Sequence, residues 1–171
     1  LPSHLRPGKR TNHRKEEINM ENKEQLIAGL QAIVTNLSQQ ADGHAIQSRI
    51  FAGQGLEKLA DKYAEHAEEE RGYVTRCIDR ILDLGGEVKN GAKQETPVFQ
   101  NAVEWIKYDL QVSKDGLASL MPLVQLSQCD PSSYDILVAY YKDEEEDLYW
   151  GEQQIALIGM IGVQNWLVKQ L

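Results

Sequence analysis

Residues 56–84 read LEKLADKYAEHAEEERGYVTRCIDRILDL, and the periodicity of this stretch decides the fold. At 100° per residue, Leu56, Leu59, Ala60, Tyr63, Ala67, Val74, Cys77, Ile78 and Ile81 fall on one face of a helix, and Glu70 falls with them. Glu70 lies near the centre of that apolar face, not at its edge. A second stretch repeats the pattern. Leu137, Tyr141, Leu148, Gly151, Ile155 and Ile158 share a helical face that has Glu144 near its centre. Burying an unpaired carboxylate costs on the order of several kcal/mol. Two glutamates aimed inward from different helices therefore require a compensating metal, cation or shared proton. Inward carboxylates on neighbouring helices are the ligand arrangement of metal-carboxylate bundles.

The rest of the chain reads as helices packed around these two. A first helix is predicted from Glu24 to about Gln54, with Ile27, Leu30, Val34, Leu37, Ala41 and Ala45 apolar, and Gly53-Gln54-Gly55 breaks it. Gly85-Gly86 stops the second. Residues 87–96 are polar, too long for a tight hairpin and long enough to run the length of a bundle. Pro97 suits the first turn of a third helix carrying Val98, Ala102, Trp105, Asp109, Val112, Leu117 and Leu120, with Pro122 expected to kink or shorten it. Cys129-Asp130-Pro131-Ser132-Ser133 reads as a turn with Asp130 or a serine as N-cap. Tyr134 to Met160 forms the fourth helix, and Gly162 opens a short fifth segment, Val163 to Leu171. No strand pattern of convincing length appears. The expected class is all-α, an antiparallel four-helix bundle with one long crossover between helices two and three.

Charge is unevenly placed. The chain carries a net −8, but residues 1–19 hold five basic and two acidic side chains, leaving −11 on residues 20–171. An acidic body suits polyvalent cations and disfavours nucleic acid. Residues 1–19 read as a disordered basic arm or a foreign leader, and 20–171 as the folded domain. As a functional element, such an arm would bind DNA. Cys77 and Cys129 form no CxxC pair, which fits a reducing, cytoplasmic setting. No run of 18 apolar residues exists, so no membrane-spanning helix is expected.

Several other residues are candidate ligands beside Glu70 and Glu144. Asp147 lies at the edge of the Glu144 stripe. Asp109 sits on the inner stripe of the third helix, between Trp105 and Val112. His66 and His44 lie on the flanks of their helices, where a lone histidine has a structural reading as well as a ligand one. Glu65 and Glu69 form a like-charge i, i+4 pair on another face of the second helix, either a solvated acidic face or a weak cation site. Carboxylates with a few imidazoles suit iron or manganese better than a thiolate-preferring metal. Tyr149, Trp150 and Trp166 fall partly off the inward stripes and read as subunit contacts.

These residues bring a family into view. Ala45-Ile-Gln-Ser-Arg-Ile-Phe51, Gly55-Leu56 with Leu59, and Ile78-Asp-Arg-Ile-Leu-Asp-Leu-Gly85 resemble the first helical pair of bacterioferritins. Lys142-Asp143-Glu144-Glu145, Trp150 and Gly162-Val163-Gln164-Asn165-Trp166-Leu167 extend the resemblance to the C-terminus. It implies a bundle of ferritin type assembling as a hollow shell, with 24 subunits favoured over 12 because the tail resembles the fifth helix of larger shells. The ferroxidase pattern it implies is a glutamate on helix one, Glu-x-x-His on helix two, a glutamate on helix three and Glu-x-x-His on helix four. Those positions here are Leu37, Glu70 with Tyr73, Ser113, and Glu144 with Asp147. Only the two glutamates survive. The axial haem methionine of the family falls at Arg71, which cannot ligate iron while cationic, so no haem is expected. Glu65 and Glu69 match positions that, in the resemblance, face the cage interior at an inner-surface iron site.

The expected function is iron storage or sequestration by a homo-oligomeric shell with an incomplete or rearranged di-iron centre. Three alternatives stand beside it. They are an active ferroxidase with ligands redrawn from Glu70, Glu144, Asp109, Asp147, His66 and His44, a DNA-protecting miniferritin, and a structural subunit co-assembling with an active paralogue.

Overall fold

The computed structural model describes the backbone from residue 10 and side chains from residue 20 through residue 171, and residues 1–9 of the expected arm lie outside the described residues. Helix α1 spans Arg10–Gly53, α2 Glu57–Asp83, α3 Ala102–Leu126, α4 Pro131–Ile161 and α5 Val163–Val168, with one 3-10 turn at Ser127–Cys129. No strand occurs among the described residues.

Short turns make α1–α2 and α3–α4 antiparallel hairpins. The first turn closes at Gly55, whose φ of +79° only glycine adopts without strain, and the Leu56 amide donates back to the Phe51 carbonyl at 3.0 Å. Gly85 repeats the device at the end of α2, with φ +78° and the Gly86 amide bonded to the Ile81 carbonyl at 2.9 Å.

The crossover, residues 84–101, runs back along α1. Three glutamines of α1 hold it. Gln31 and the backbone of Lys89 exchange both hydrogen bonds, Nε2 to the carbonyl at 3.0 Å and the amide to Oε1 at 2.8 Å. Gln39 does the same with Gln94. Gln47, fully buried, does the same with Phe99, at 2.6 and 3.1 Å. A primary amide can donate from its nitrogen and accept at its oxygen at once, so each glutamine acts as a peptide surrogate for an extended segment that has no strand partner. The crossover therefore runs parallel to α1, which makes α3 antiparallel to α1 and packed on it, and α4 antiparallel to α2 and packed on it.

Three boundaries differ from the sequence reading. Helix α1 begins at Arg10, not Glu24. Pro97 lies in the extended crossover, and α3 begins five residues later because Asn101 caps it, its side chain accepting from the Glu104 amide at 3.0 Å. The helix also continues through Pro122 to Leu126. Asp130 does occupy the N-cap position of α4, but its side chain caps nothing. Its carboxylate is held instead by Arg80 of α2 at 2.8 and 2.9 Å and accepts from the Ser133 hydroxyl at 2.6 Å.

The buried stripe of α1 runs through Leu26, Leu30, Ile33, Leu37, Ala41, His44, Ser48 and Phe51, at spacings of three and four. Its phase is shifted slightly from the expected one, since Ile27 and Ala45 are only partly buried. Core side chains form two apolar groups. Leu30, Leu37, Cys77, Ile81, Leu120 and Leu137 belong to one. Phe51, Leu59, Tyr63, Trp105, Ile106 and Trp166 belong to the other, toward α5. Trp166 corrects the reading of it as a subunit contact: it is fully buried within its own chain and donates from Nε1 to Gln154 Oε1 at 2.9 Å. Tyr149 is half exposed.

Candidate metal centre

Between the two apolar groups lies a polar layer to which every long helix contributes. His44 comes from α1, His66 and Glu70 from α2, Asp109 from α3, and Glu144 and Asp147 from α4. His44, His66, Glu70 and Glu144 are all buried, at 3 to 6% exposure. Asp109 and Asp147 are more open, with side chains 14% and 18% exposed.

His44 bridges two carboxylates. Its Nδ1 meets Glu70 Oε1, and its Nε2 lies 2.8 Å from Asp109 Oδ1. Burial opposes a charged ring here, yet Asp109 and Glu70 outweigh it and hold the His44 pKa well above its ordinary value. Without a metal, His44 is thus an imidazolium donating from both nitrogens. Burial raises the Glu70 carboxyl, and His44 opposes that rise. Glu144 has no cationic partner of its own. Burial first, then the neighbouring Glu70 and Asp147 charges, push it up to about 8, so it is largely protonated at neutral pH.

His66 is the second imidazole of the layer. Its Nε2 lies 3.1 Å from Asp147 Oδ1, but the two are not aligned as a hydrogen bond, and Nε2 has no other partner. Glu70 Oε2 is also buried and unpartnered. His44, His66 and Glu70 each bring one donor atom to within 4.8 Å of the others.

Aromatic rings wall the layer on its α5 side. Tyr63 packs against both histidines, with centroids 5.4 Å from His44 and 5.3 Å from His66. Trp105 stands edge-on to His44 at 5.8 Å, and Trp150 edge-on to His66 at 6.5 Å. A surface cavity of about 210 Å³, lined by Asn36, Gln39, Gln40, Gln94 and Thr96, reaches Asp109. It gives the layer a polar approach between α1, α3 and the crossover.

A ferritin-like domain matches residues 27–161, most of the chain. The chain belongs to the ferritin-like family. It is similar to the bacterial ferritin of Neisseria meningitidis serogroup A, 35% identical over 156 residues that cover 85% of this chain and all of that one. The bacterial ferritin of Synechocystis sp. is 31% identical, covering 89% of this chain and 99% of its own. The bacterioferritin of Mycobacterium leprae is 26% identical over 141 residues.

Within this ferritin-like bundle, the six candidate ligands Glu70, Glu144, Asp109, Asp147, His66 and His44 come together in one layer. The sequence reading placed both histidines on helix flanks, whereas both face the core. The signal was present. His66 precedes Glu70 by four residues, and His44 follows Ala41 by three on the α1 stripe. Glu65 and Glu69 stand exposed on another face of α2, outside this layer, and burial with the nearby Asp143 raises the Glu69 carboxyl. Leu37 and Ser113, where the resemblance expects carboxylates, are buried. Leu37 lines an apolar cavity of about 280 Å³ with Ile33, Leu120, Leu123 and Tyr140. Tyr73, at an expected histidine position, donates its hydroxyl to the Ala139 carbonyl at 3.3 Å. Arg71, at the expected haem-ligand position, is paired with Asp42 at 2.8 Å.

Proposed function

We propose that this chain is an iron-storing subunit of a hollow homo-oligomeric shell, with its oxidation centre rearranged rather than lost. The observation that carries the reading is the layer of two buried imidazoles, two buried glutamates and two half-buried aspartates in the middle of a ferritin-like bundle. Such a layer is costly unless protons or a cation occupy it, and a cation can replace the protons held at His44 and Glu144. Ferrous iron is the substrate. Imidazole and carboxylate donors fit it, and the acidic body attracts it. The acidic face at Glu65 and Glu69 serves as a second place where iron gathers. A shell of 24 chains is favoured over 12 on the strength of α5. In this reading Arg71 leaves the chain without haem, DNA is not a partner, and the setting is cytoplasmic.

The reading of an active ferroxidase with redrawn ligands gains support from the convergence of all six candidate residues. Storage remains the first reading because Leu37 and Ser113 remove two carboxylates that a paired-iron site would use.

Aerobic loading of the metal-free protein with ferrous iron tests the proposal. The expected result is a large assembly by light scattering that retains many irons per chain as an electron-dense core. A monomer or dimer, or an assembly that precipitates iron outside itself as bovine albumin would, overturns it.

A further inference from the structure

The geometry points to a mononuclear metal site of the two-histidine, one-carboxylate kind, formed by His44, His66 and Glu70, with both imidazoles about two helical turns nearer α5 than the ligand positions that the family pattern gives on α1 and α2. This assignment deepens the iron-handling reading of the same layer and rests on it.

The displacement is concerted. Moving toward α5 means moving forward along α1 and α4 and backward along α2 and α3. The expected ligand on α1 falls at Leu37 and the donor observed is His44, farther forward. On α2 the expected imidazole position is Tyr73 and the observed imidazole is His66, farther back. On α3 Ser113 is replaced by Asp109, one turn back. On three helices a polar residue stands displaced in the same direction along the axis, while Glu70, Glu144 and Asp147 keep the expected positions.

The free donors converge on one point. His66 Nε2 and Glu70 Oε2 are buried atoms without a hydrogen-bond partner, in a protein that satisfies most others. His66 Nε2 and Asp147 Oδ1 approach to 3.1 Å without the alignment of a hydrogen bond. That is the relation expected when neighbouring groups are oriented toward something else. His44 shows the complementary arrangement: one ring nitrogen faces Glu70 and the triad, and the other is held from behind by Asp109 at 2.8 Å. A carboxylate behind the far nitrogen of an imidazole fixes its tautomer and makes it a better ligand. Tyr63, Trp105 and Trp150 pack the two rings in place.

The layer supplies donors for one ion, not two. A second ion on the Glu144 side would share Glu70 and meet Leu37 and the apolar cavity, Ser113, and a Tyr73 hydroxyl already bonded to the Ala139 carbonyl. Glu144 and the more open Asp147 remain to hold it, with no imidazole. Two imidazoles with one carboxylate and no thiolate select a borderline first-row divalent cation such as Fe²⁺, Co²⁺ or Zn²⁺, and reject Mg²⁺ and Ca²⁺.

Anaerobic titration of the assembled metal-free shell with Co²⁺ tests the assignment, because cobalt bound by imidazole shows visible ligand-field bands. One Co²⁺ per chain is expected, with X-ray absorption on the same sample counting two imidazoles per cobalt. His66→Ala and His44→Ala should each abolish the tight bands, and Asp109→Asn should weaken binding about 10- to 100-fold while keeping one ion per chain. Two equivalent Co²⁺ per chain, a cobalt without imidazole, or tight binding that survives His66→Ala overturns the assignment. The X-ray absorption count is made on the unaltered protein, so it stands even where a variant fails to fold. A shell that builds an iron core yet fails the cobalt test removes this site and leaves storage standing. The cobalt signature in a protein that forms no core removes storage and leaves the site.

Discussion

Asp109 grips His44 from the side opposite Glu70, its Oδ1 2.8 Å from Nε2, so that one imidazole ties α3 to α2 through α1. In the metal-free protein this is a buried carboxylate–imidazolium–carboxylate bridge. Its stability rests on protons, and that sets a pH dependence.

The sign follows from three groups whose pKa values the fold raises. The fold holds His44 well above the ordinary imidazole value of 6.5, so its contribution is complete below that value and is lost as pH rises through the higher folded pKa. Glu144 is raised from 4.5 to about 8, so the folded state holds a proton that the unfolded chain releases across that window. Glu70 is raised as well, in the same direction. The metal-free protein should therefore lose stability as pH climbs from about 5 to 8, by on the order of a few kcal/mol. Thermal melts at pH 5.5 and 8 with chelator present check this, and a higher melting temperature at pH 8 would contradict it. Adding Co²⁺ or Zn²⁺ should flatten the dependence, because a bound cation replaces the protons.

At the far end of the bundle, Arg80 makes two bonds to Asp130 and donates from Nε to the Ser133 hydroxyl at 2.8 Å. Burial would raise the Asp130 carboxyl, but Arg80 and Ser133 lower it below its usual range. This network locks the start of α4 onto the end of α2. The pair is partly exposed, so Arg80→Ala should cost about 1–2 kcal/mol rather than the larger penalty of a fully buried pair. Denaturant unfolding at pH 7 measures it. The Arg80–Asp130 contribution should fade as pH falls through the lowered Asp130 pKa, so the gap between wild type and variant should close in acid.

The crossover gives a separate stability test. Gln47 is fully buried and satisfies both backbone groups of Phe99. Gln47→Leu keeps the volume but strands a part-buried carbonyl and amide, an expected loss of about 1–3 kcal/mol. Gln31→Leu, near the solvent-exposed part of the crossover, should cost less than half of that. Hydrogen exchange at the Phe99 amide, protected in the wild type and fast in Gln47→Leu, would locate the effect.

The bundle was legible because its decisive residues obey a period. Glu70 and Glu144 stood out as polar residues on apolar stripes, and both are buried where the period placed them. The histidines were harder to place. A phase drawn through Ile27 and Ala45 moves His44 to the flank. The phase through Leu26, Ile33 and Ala41 puts it in the core. The route of the crossover had no apolar signature at all, since the polar amides of Gln31, Gln39 and Gln47 hold it. Their eight-residue spacing along α1 was the available sign. Pro97 misled because a proline suits an extended chain as well as a helix's first turn. Asn101, with Glu104 three residues on, was the stronger start signal.

The last prediction separates the two faces of α2. His66 and Glu70 point into the bundle, and Glu65 and Glu69 point away from it. If the inner site holds one ion, it can take up iron but cannot alone carry out rapid paired oxidation, which needs two irons about 3.5–4 Å apart. Bulk mineral growth should then depend mainly on the acidic outer face of α2. The double substitution Glu65→Ala with Glu69→Ala should slow core growth several-fold, while Glu70→Ala should chiefly remove the first iron bound per chain. Stopped-flow oxidation with stepwise iron additions distinguishes these effects. A fast phase at two irons per chain, abolished by Glu70→Ala and indifferent to Glu65 and Glu69, would mean that a working paired-iron centre exists and that storage at the acidic face is secondary.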